Sequence, residues 1–207
     1  TFWTIDLPQP EQGGAYLPPQ VAERLDRVVC VSQWHRERVV AACPWIPPKK
    51  ITAHWLGVDL EEVRAARGAV PEPVPERAVY ASSLDRGALD LLRMWSRVRE
   101  AVPTAELRVL YGLDFWRRSE GVLQEPARTQ MREQRLELER LLAQPGVAFI
   151  GRPATREAYM REIASASVWA YPCNGGELCC KVALEMQALG VLAVVIPTMA
   201  LSETVML

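Results

Sequence analysis

What most constrains this chain is an alternation. From residue 78 onward, short apolar runs of strand length take turns with longer segments whose apolar residues recur at helical spacing. Residues 78–81, 106–111, 147–150, 168–171 and 192–196 read as strands, and 87–101, 128–142, 155–165 and 179–189 as helices. In the helix over 87–101, Ala88, Leu91, Leu92, Trp95, Val98 and Val102 share one face. Each gap between strands holds a helix and is too long for a hairpin. The spacing therefore predicts parallel βαβ units with right-handed crossovers.

The first part of the chain follows the same grammar. Residues 27–31 read as a buried strand, Ser32 caps a helix over 33–42, and Pro44, Pro47 and Pro48 stop it. A further strand over 50–54 closes at Gly57-Val58-Asp59. Pro71, Pro73 and Pro75 then stand at alternate positions, a pattern that suits neither a helix nor a central strand. This predicts a linker over 67–77 between a domain over 1–66 and another over 78–207. Both ends look cut: the chain opens without Met on a strand-like stretch and closes on a helix start with Ser202 as its cap. It is expected to be a piece of a longer protein and, alone, a poor catalyst or inactive.

Composition removes several functions. The 24 basic and 25 acidic residues leave a net charge of −1, so nucleic acid is not an expected partner. The longest apolar stretch, 188–196, is too short to cross a bilayer. Five cysteines, odd in number and outside any CxxC spacing, favour a reducing, cytoplasmic setting. The two histidines, His35 and His54, form no metal-ligand spacing, so no metal is expected; His35, at a helix start, is expected to be exposed or capping. Cys179 and Cys180 read as small apolar filling at a helix start, and Trp34, Trp45, Trp55, Trp95, Trp116 and Trp169 as packing residues.

In an open parallel sheet, ligands bind beyond the carboxyl ends of the strands. That rule selects the loops 82–87, 112–115, 151–153 and 172–177. Neither the GxGxxG dinucleotide fingerprint nor the GxxxxGK[ST] phosphate loop is present, which argues against a dehydrogenase or P-loop nucleotidase. Arg86 lies where a strand gives way to a helix, so a guanidinium could join the free amides in holding a diphosphate. The plainer alternative is a surface ion pair with Asp85 or Asp90. Farther on, Gly175 and Gly176 would let backbone approach a ligand, and Glu177 and Glu185 stand eight apart. Glu177, Lys181 and Glu185 also follow the spacing of a solvated salt-bridge face, so both alternatives stand.

Taken in order, these segments resemble glycosyltransferase family 4, retaining nucleotide-sugar enzymes of the GT-B fold. The resemblance is carried by Val29-Cys30-Val31-Ser32-Gln33-Trp34-His35-Arg36, Lys50-Ile51, Gly57-Val58-Asp59, Ala81-Ser82-Ser83-Leu84-Asp85-Arg86-Gly87, Gly151-Arg152, Tyr171-Pro172, Glu177 to Glu185, and Ala200-Leu201-Ser202-Glu203-Thr204. It implies two Rossmann-like parallel-sheet domains, both incomplete here, with an acceptor side first and a donor side second. It implies that Arg86 contacts the donor diphosphate, and that Glu177, with Gly175 and Gly176, holds the donor sugar. Glu185 would bind the nucleotide ribose, while Arg152 and Gly112 lie in the donor site near the base.

The implied reaction is metal- and cofactor-independent transfer, with retention, from a nucleotide-diphosphate sugar to a glycan or lipid-linked acceptor. The implied setting is the cytoplasm, with peripheral work at the inner membrane face compatible with it. Three positions depart from the family pattern: Ile5-Asp6 stands where His-Asp is common, Leu56 replaces an Asn, and Lys181 replaces an apolar residue. They keep open the alternative of a non-catalytic sugar-nucleotide-binding or scaffold module.

Overall fold

In the computed structural model, which describes residues 1–4, 17–173 and 175–205, the alternation becomes two parallel sheets. The sheets belong to two units, one of residues 1–57, 175–184 and 197–207, the other of 58–174 and 185–196. Ile5-Asp6 and Asn174 lie outside the described residues.

In the first unit, β1 (Phe2–Trp3), β2 (Val28–Cys30) and β3 (Ile51–Ala53) form a parallel sheet in that order, with Phe2 opposite Val28 and Val28 opposite Ile51. Short α1 (Pro19–Ala22) precedes β2, and α2 (Gln33–Ala42) connects β2 to β3. All three β2 residues are buried, as a parallel strand covered on both faces requires. Val28 and Cys30 pack with Leu17, Ala22, Val39, Cys43, Ile46 and Ile51 into one apolar core. Burial pushes the Cys30 thiol up to about 11, against the opposing pull of nearby Arg36.

Ser32 caps α2 as its sequence predicts, accepting from the His35 amide at 3.0 Å. The expectation for His35 itself is corrected. Its ring is fully buried, and Nδ1 accepts from the Val31 amide at 3.4 Å. Trp45 and Trp55 are also corrected: both are exposed, Trp55 to 60%, whereas Trp95, Trp116 and Trp169 are buried. At the chain's end, α9 (Leu201–Thr204) contains Ser202 rather than being capped by it; the Ser202 hydroxyl donates to the Met199 carbonyl at 2.6 Å.

The second unit opens with α3 (Leu60–Ala69), capped by the Asp59 carboxylate on the Glu61 and Glu62 amides. Its sheet runs β6-β5-β4-β7-β8, all parallel: β4 (Val74–Tyr80), β5 (Glu106–Leu110), β6 (Val147–Gly151), β7 (Ala166–Tyr171) and β8 (Leu192–Val195). In order of appearance this is 3-2-1-4-5, a doubly wound sheet that reverses direction between β4 and β7. Between the strands stand α4 (Ala88–Ala101), α5 (Asp114–Val122), α6 (Ala127–Leu142), α7 (Arg156–Ala164) and α8 (Lys181–Ala188). The first half of α8 belongs to the first unit and its second half to the second.

Two sequence expectations change here. Residues 67–77 hold the end of α3 and the start of β4, with Pro75 inside a central strand. The strand tolerates it because the β4–β7 register shifts between Val74 and Ala78, and β5 pairs only from Arg77. The second change concerns α4. Ala88, Leu91, Leu92 and Trp95 are buried as the periodicity predicts, but Val102 is 37% exposed. Met94, Val98 and Val102 line an apolar groove of about 520 Å³ with Val168, Ala170 and Val194. Leu192, Val194 and Ile196, at the sheet's β8 edge, are likewise exposed.

Candidate functional site

The reversal of strand order puts the β4–α4 turn beside Pro172 and Cys173, which follow β7, at the carboxyl end of the second unit's sheet, where such sheets take their ligands. The packing there is close. Gly87 has φ +86°, and a Cβ on it would stand 2.5 Å from the Pro172 carbonyl oxygen, so only glycine fits. The buried Tyr80 hydroxyl faces the Ser83 and Arg86 carbonyls at 2.7 and 2.9 Å, fixing the turn that carries Arg86. Ser82 and Tyr171 approach hydroxyl to hydroxyl at 3.3 Å, and the Tyr171 ring stacks on Trp169 at 5.0 Å.

Arg86 is half-buried on this turn, directly before the start of α4. The N-cap residue of α4, Gly87, has no side chain to cap it, and the first amides carry the positive end of a fourteen-residue helix. Close by, Asp85 accepts from the Ser83 hydroxyl, and Asp90 pairs with Arg93 at 3.3 Å. Guanidinium and helix start together form a local concentration of positive charge suited to an anion.

Gly112 and Arg152 follow β5 and β6, adjacent strands of the same sheet. The Tyr111 amide donates to the Gly151 carbonyl at 2.9 Å, and exposed Arg152 lies over the Tyr111 ring, 5.8 Å from its centroid. Because α5 starts at Asp114, the expected loop 112–115 shortens to two residues, Gly112 and Leu113.

Glu185 belongs to the second unit and is 2% exposed. Its Oε1 accepts from Arg156 Nη2 at 2.5 Å and its Oε2 from the Tyr159 hydroxyl at 3.1 Å. Arg156 Nε also donates to Glu62 on α3 at 3.0 Å, and its guanidinium stands 5.0 Å over the Tyr159 ring. Burial, with the Glu185 charge behind it, drives the Tyr159 hydroxyl well above the usual tyrosine range, so it stays a donor. Burial works against the Arg156 charge, but its bonds to Glu185 and Glu62 outweigh that and raise its pKa.

Arg156, Tyr159 and Glu62 do not stand out in the sequence by motif or spacing. One signal was there: a basic residue at the first position of a helix opposes the dipole and calls for a carboxylate partner.

Glu177, Gly175 and Gly176 fall in the first unit. Glu177 is 6% exposed; with Glu185 also buried, the solvated salt-bridge alternative for this segment is set aside. Gly176 has φ +79°, and its amide meets the Met199 sulfur at 3.2 Å. The Glu177 carbonyl accepts from the Ala200 amide at 3.3 Å. Among the described residues, no atom stands within 4 Å of the Cβ position of either glycine. Cys180 at φ +53° delays the helix to Lys181, two residues later than expected, and burial raises the Cys179 thiol rather than lowering it. Among the described residues, no three His, Cys, Asp or Glu side chains are grouped to hold a metal ion, and no helix is long and apolar enough to cross a membrane.

No family model and no curated protein sequence matches the chain. Solved structures do. HepE from Anabaena, in complex with UDP and glucose, superimposes over 98% of this chain and 54% of its own, with a TM-score of 0.67 at 15% identity. A glycosyltransferase from Rickettsia africae covers 86% of this chain and 48% of its own, with a TM-score of 0.60 at 15% identity. A UDP-forming trehalose-phosphate synthase from Burkholderia xenovorans covers 83% and 45%, with a TM-score of 0.58 at 13% identity. The chain spans about half the length of these structures. At such identities the likeness is one of architecture: the chain has the α/β fold of GT-B glycosyltransferases.

Proposed function

We propose that the chain is the donor-binding part of a retaining, metal-independent glycosyltransferase, moving a sugar from a nucleotide-diphosphate sugar to a glycan or lipid-linked acceptor. One observation carries the reading most. Arg86 stands on a fixed turn before the start of α4, whose cap residue Gly87 has no side chain, at the point where the sheet reverses direction. That is a diphosphate site in charge and in topology. The fold shared with UDP-bound HepE supports the same reading.

The roles of the individual residues follow. Arg86 and the first α4 amides take up the charge that grows on the departing diphosphate, which is where such a reaction needs electrostatic help. Glu177 and the Gly175 and Gly176 amides orient the donor sugar, Glu185 accepts from the ribose hydroxyls, and Arg152 and Gly112 border the base. The bond from the anomeric carbon to the diphosphate oxygen breaks. The acceptor oxygen bonds to that carbon from the same face, and the acceptor's proton passes to the leaving phosphate. No carboxylate nucleophile is assigned.

The test is a thermal unfolding titration with UDP. Ligand at a hundred times its Kd adds about 2.7 kcal/mol, which is visible as a clear rise in Tm. At the same ligand concentration the rise should fall to about a third in Arg86→Ala; an unchanged rise in that variant would refute the assignment. Sugar transfer by the full-length protein, lost in Glu177→Ala, separates an enzyme from a module that only binds.

A further inference from the structure

We propose that Arg156 and Tyr159 are positioning residues for nucleotide binding: together they fix the Glu185 carboxylate so that it can receive a ribose diol. The inference rests on the reading of Glu185 as the ribose acceptor and adds to it two residues and a mechanism.

A carboxylate buried to this degree is costly unless it is paired and hydrogen-bonded. Glu185 has both kinds of partner, and they come from one place. Residues 156 and 159 stand three apart on α7, so their side chains leave the helix on the same face. One reaches Oε1 and the other Oε2. Two donors on two different oxygens fix the plane and the rotation of the carboxylate, which a single donor could not do.

Arg156 is in turn held from three sides. Glu185 takes Nη2, Glu62 on α3 takes Nε, and the Tyr159 ring lies beneath the guanidinium. Lysine could not reproduce this, because its point charge has no fork to divide between two carboxylates. At the first position of α7 the arginine also stands against the helix dipole. The helix dipole therefore does not account for it, whereas its bonds to Glu185 and Glu62 do.

The experiment compares two probes, UDP and 2′,3′-dideoxy-UDP, by titration calorimetry on the wild-type chain and on Arg156→Ala, Arg156→Lys and Tyr159→Phe. Arg156→Ala should weaken UDP about tenfold, the scale of one hydrogen bond to a charged group, and leave the dideoxy probe within about twofold. Arg156→Lys should restore only part of the loss. Tyr159→Phe, which keeps the ring and its packing, should weaken UDP about threefold with the same indifference to the dideoxy probe. It carries the test if Arg156→Ala does not fold.

Equal weakening of both probes would mean a structural role only and overturns the proposal, as would unchanged UDP affinity in every variant. A wild-type chain that binds UDP and dideoxy-UDP equally well overturns the ribose role of Glu185 and leaves Arg86 untouched. A wild-type chain that binds neither probe overturns the nucleotide reading itself.

Discussion

The chain makes the same strand-to-helix step twice, and the two steps end differently. Where β2 passes into α2, the helix start is filled by the protein's own groups: the Ser32 hydroxyl takes the His35 amide, and the Glu203 carboxylate takes the Trp34 amide at 2.8 Å. Where β4 passes into α4, the cap is Gly87, which has no side chain, and the nearby Ser83 hydroxyl is engaged by Asp85. The physics at both helix starts is identical, since each offers unpaired amides and a positive end. What differs is the cap residue: Ser32 brings a hydroxyl of its own, and Gly87 brings no side chain. On the proposed reading, the first step is a structural joint and the second, beside an arginine, a place for a guest anion.

The comparison can be attacked at its strongest point first. Gly87→Ala puts a Cβ at positive φ against the Pro172 carbonyl, and should cost more than about 2 kcal/mol of stability in urea unfolding and abolish UDP binding. A loss below about 1 kcal/mol would show that the second step is not rigid. Arg86→Ala should lower UDP affinity roughly thirtyfold, or about 2 kcal/mol, with little change in Tm without ligand. Ser32→Ala makes the opposite split. It should cost about 1 kcal/mol of stability and leave UDP affinity unchanged, because the first step serves the fold alone.

The smallest effect is a pH dependence. Cys30 at the end of β2 is buried and its thiol is raised to about 11. The folded state therefore holds that proton more tightly than the unfolded chain does. The stability it contributes is complete below pH 9 and is lost as pH rises from there through 11. Relative to pH 8, the wild type should lose about 1 kcal/mol at pH 10 that Cys30→Ala does not lose.

The sequence made the sheet's alternation legible because each strand and helix has a local signature. Ser32 before and Pro44 after fixed the expected limits of α2, and the apolar repeat of α4 gave its buried face as far as Trp95. Three helices escaped: α1, a single turn opening at Pro19, α3, whose Asp59 cap was overshadowed by the prolines that follow, and α5, a short segment interrupted by Gly121. The position of Arg86 between a strand end and a helix start was legible, because both are local features. The Glu185 cluster was not, because Arg156 finds Glu62 across 94 residues and Tyr159 finds Glu185 across 26. Likewise Glu203 reaches Trp34 across 169 residues, which no periodicity can announce.

The groove along α4 bears on how this protein is to be assayed. A native concavity of about 520 Å³, walled by valines, Met94 and Trp95, is large and dry enough to take up an aromatic sulfonate dye. Dye fluorescence is the common sign of a loosened, partly melted chain. Here the fully folded molecule will light up too, so that signal must be read against near-ultraviolet dichroism before any variant is judged molten.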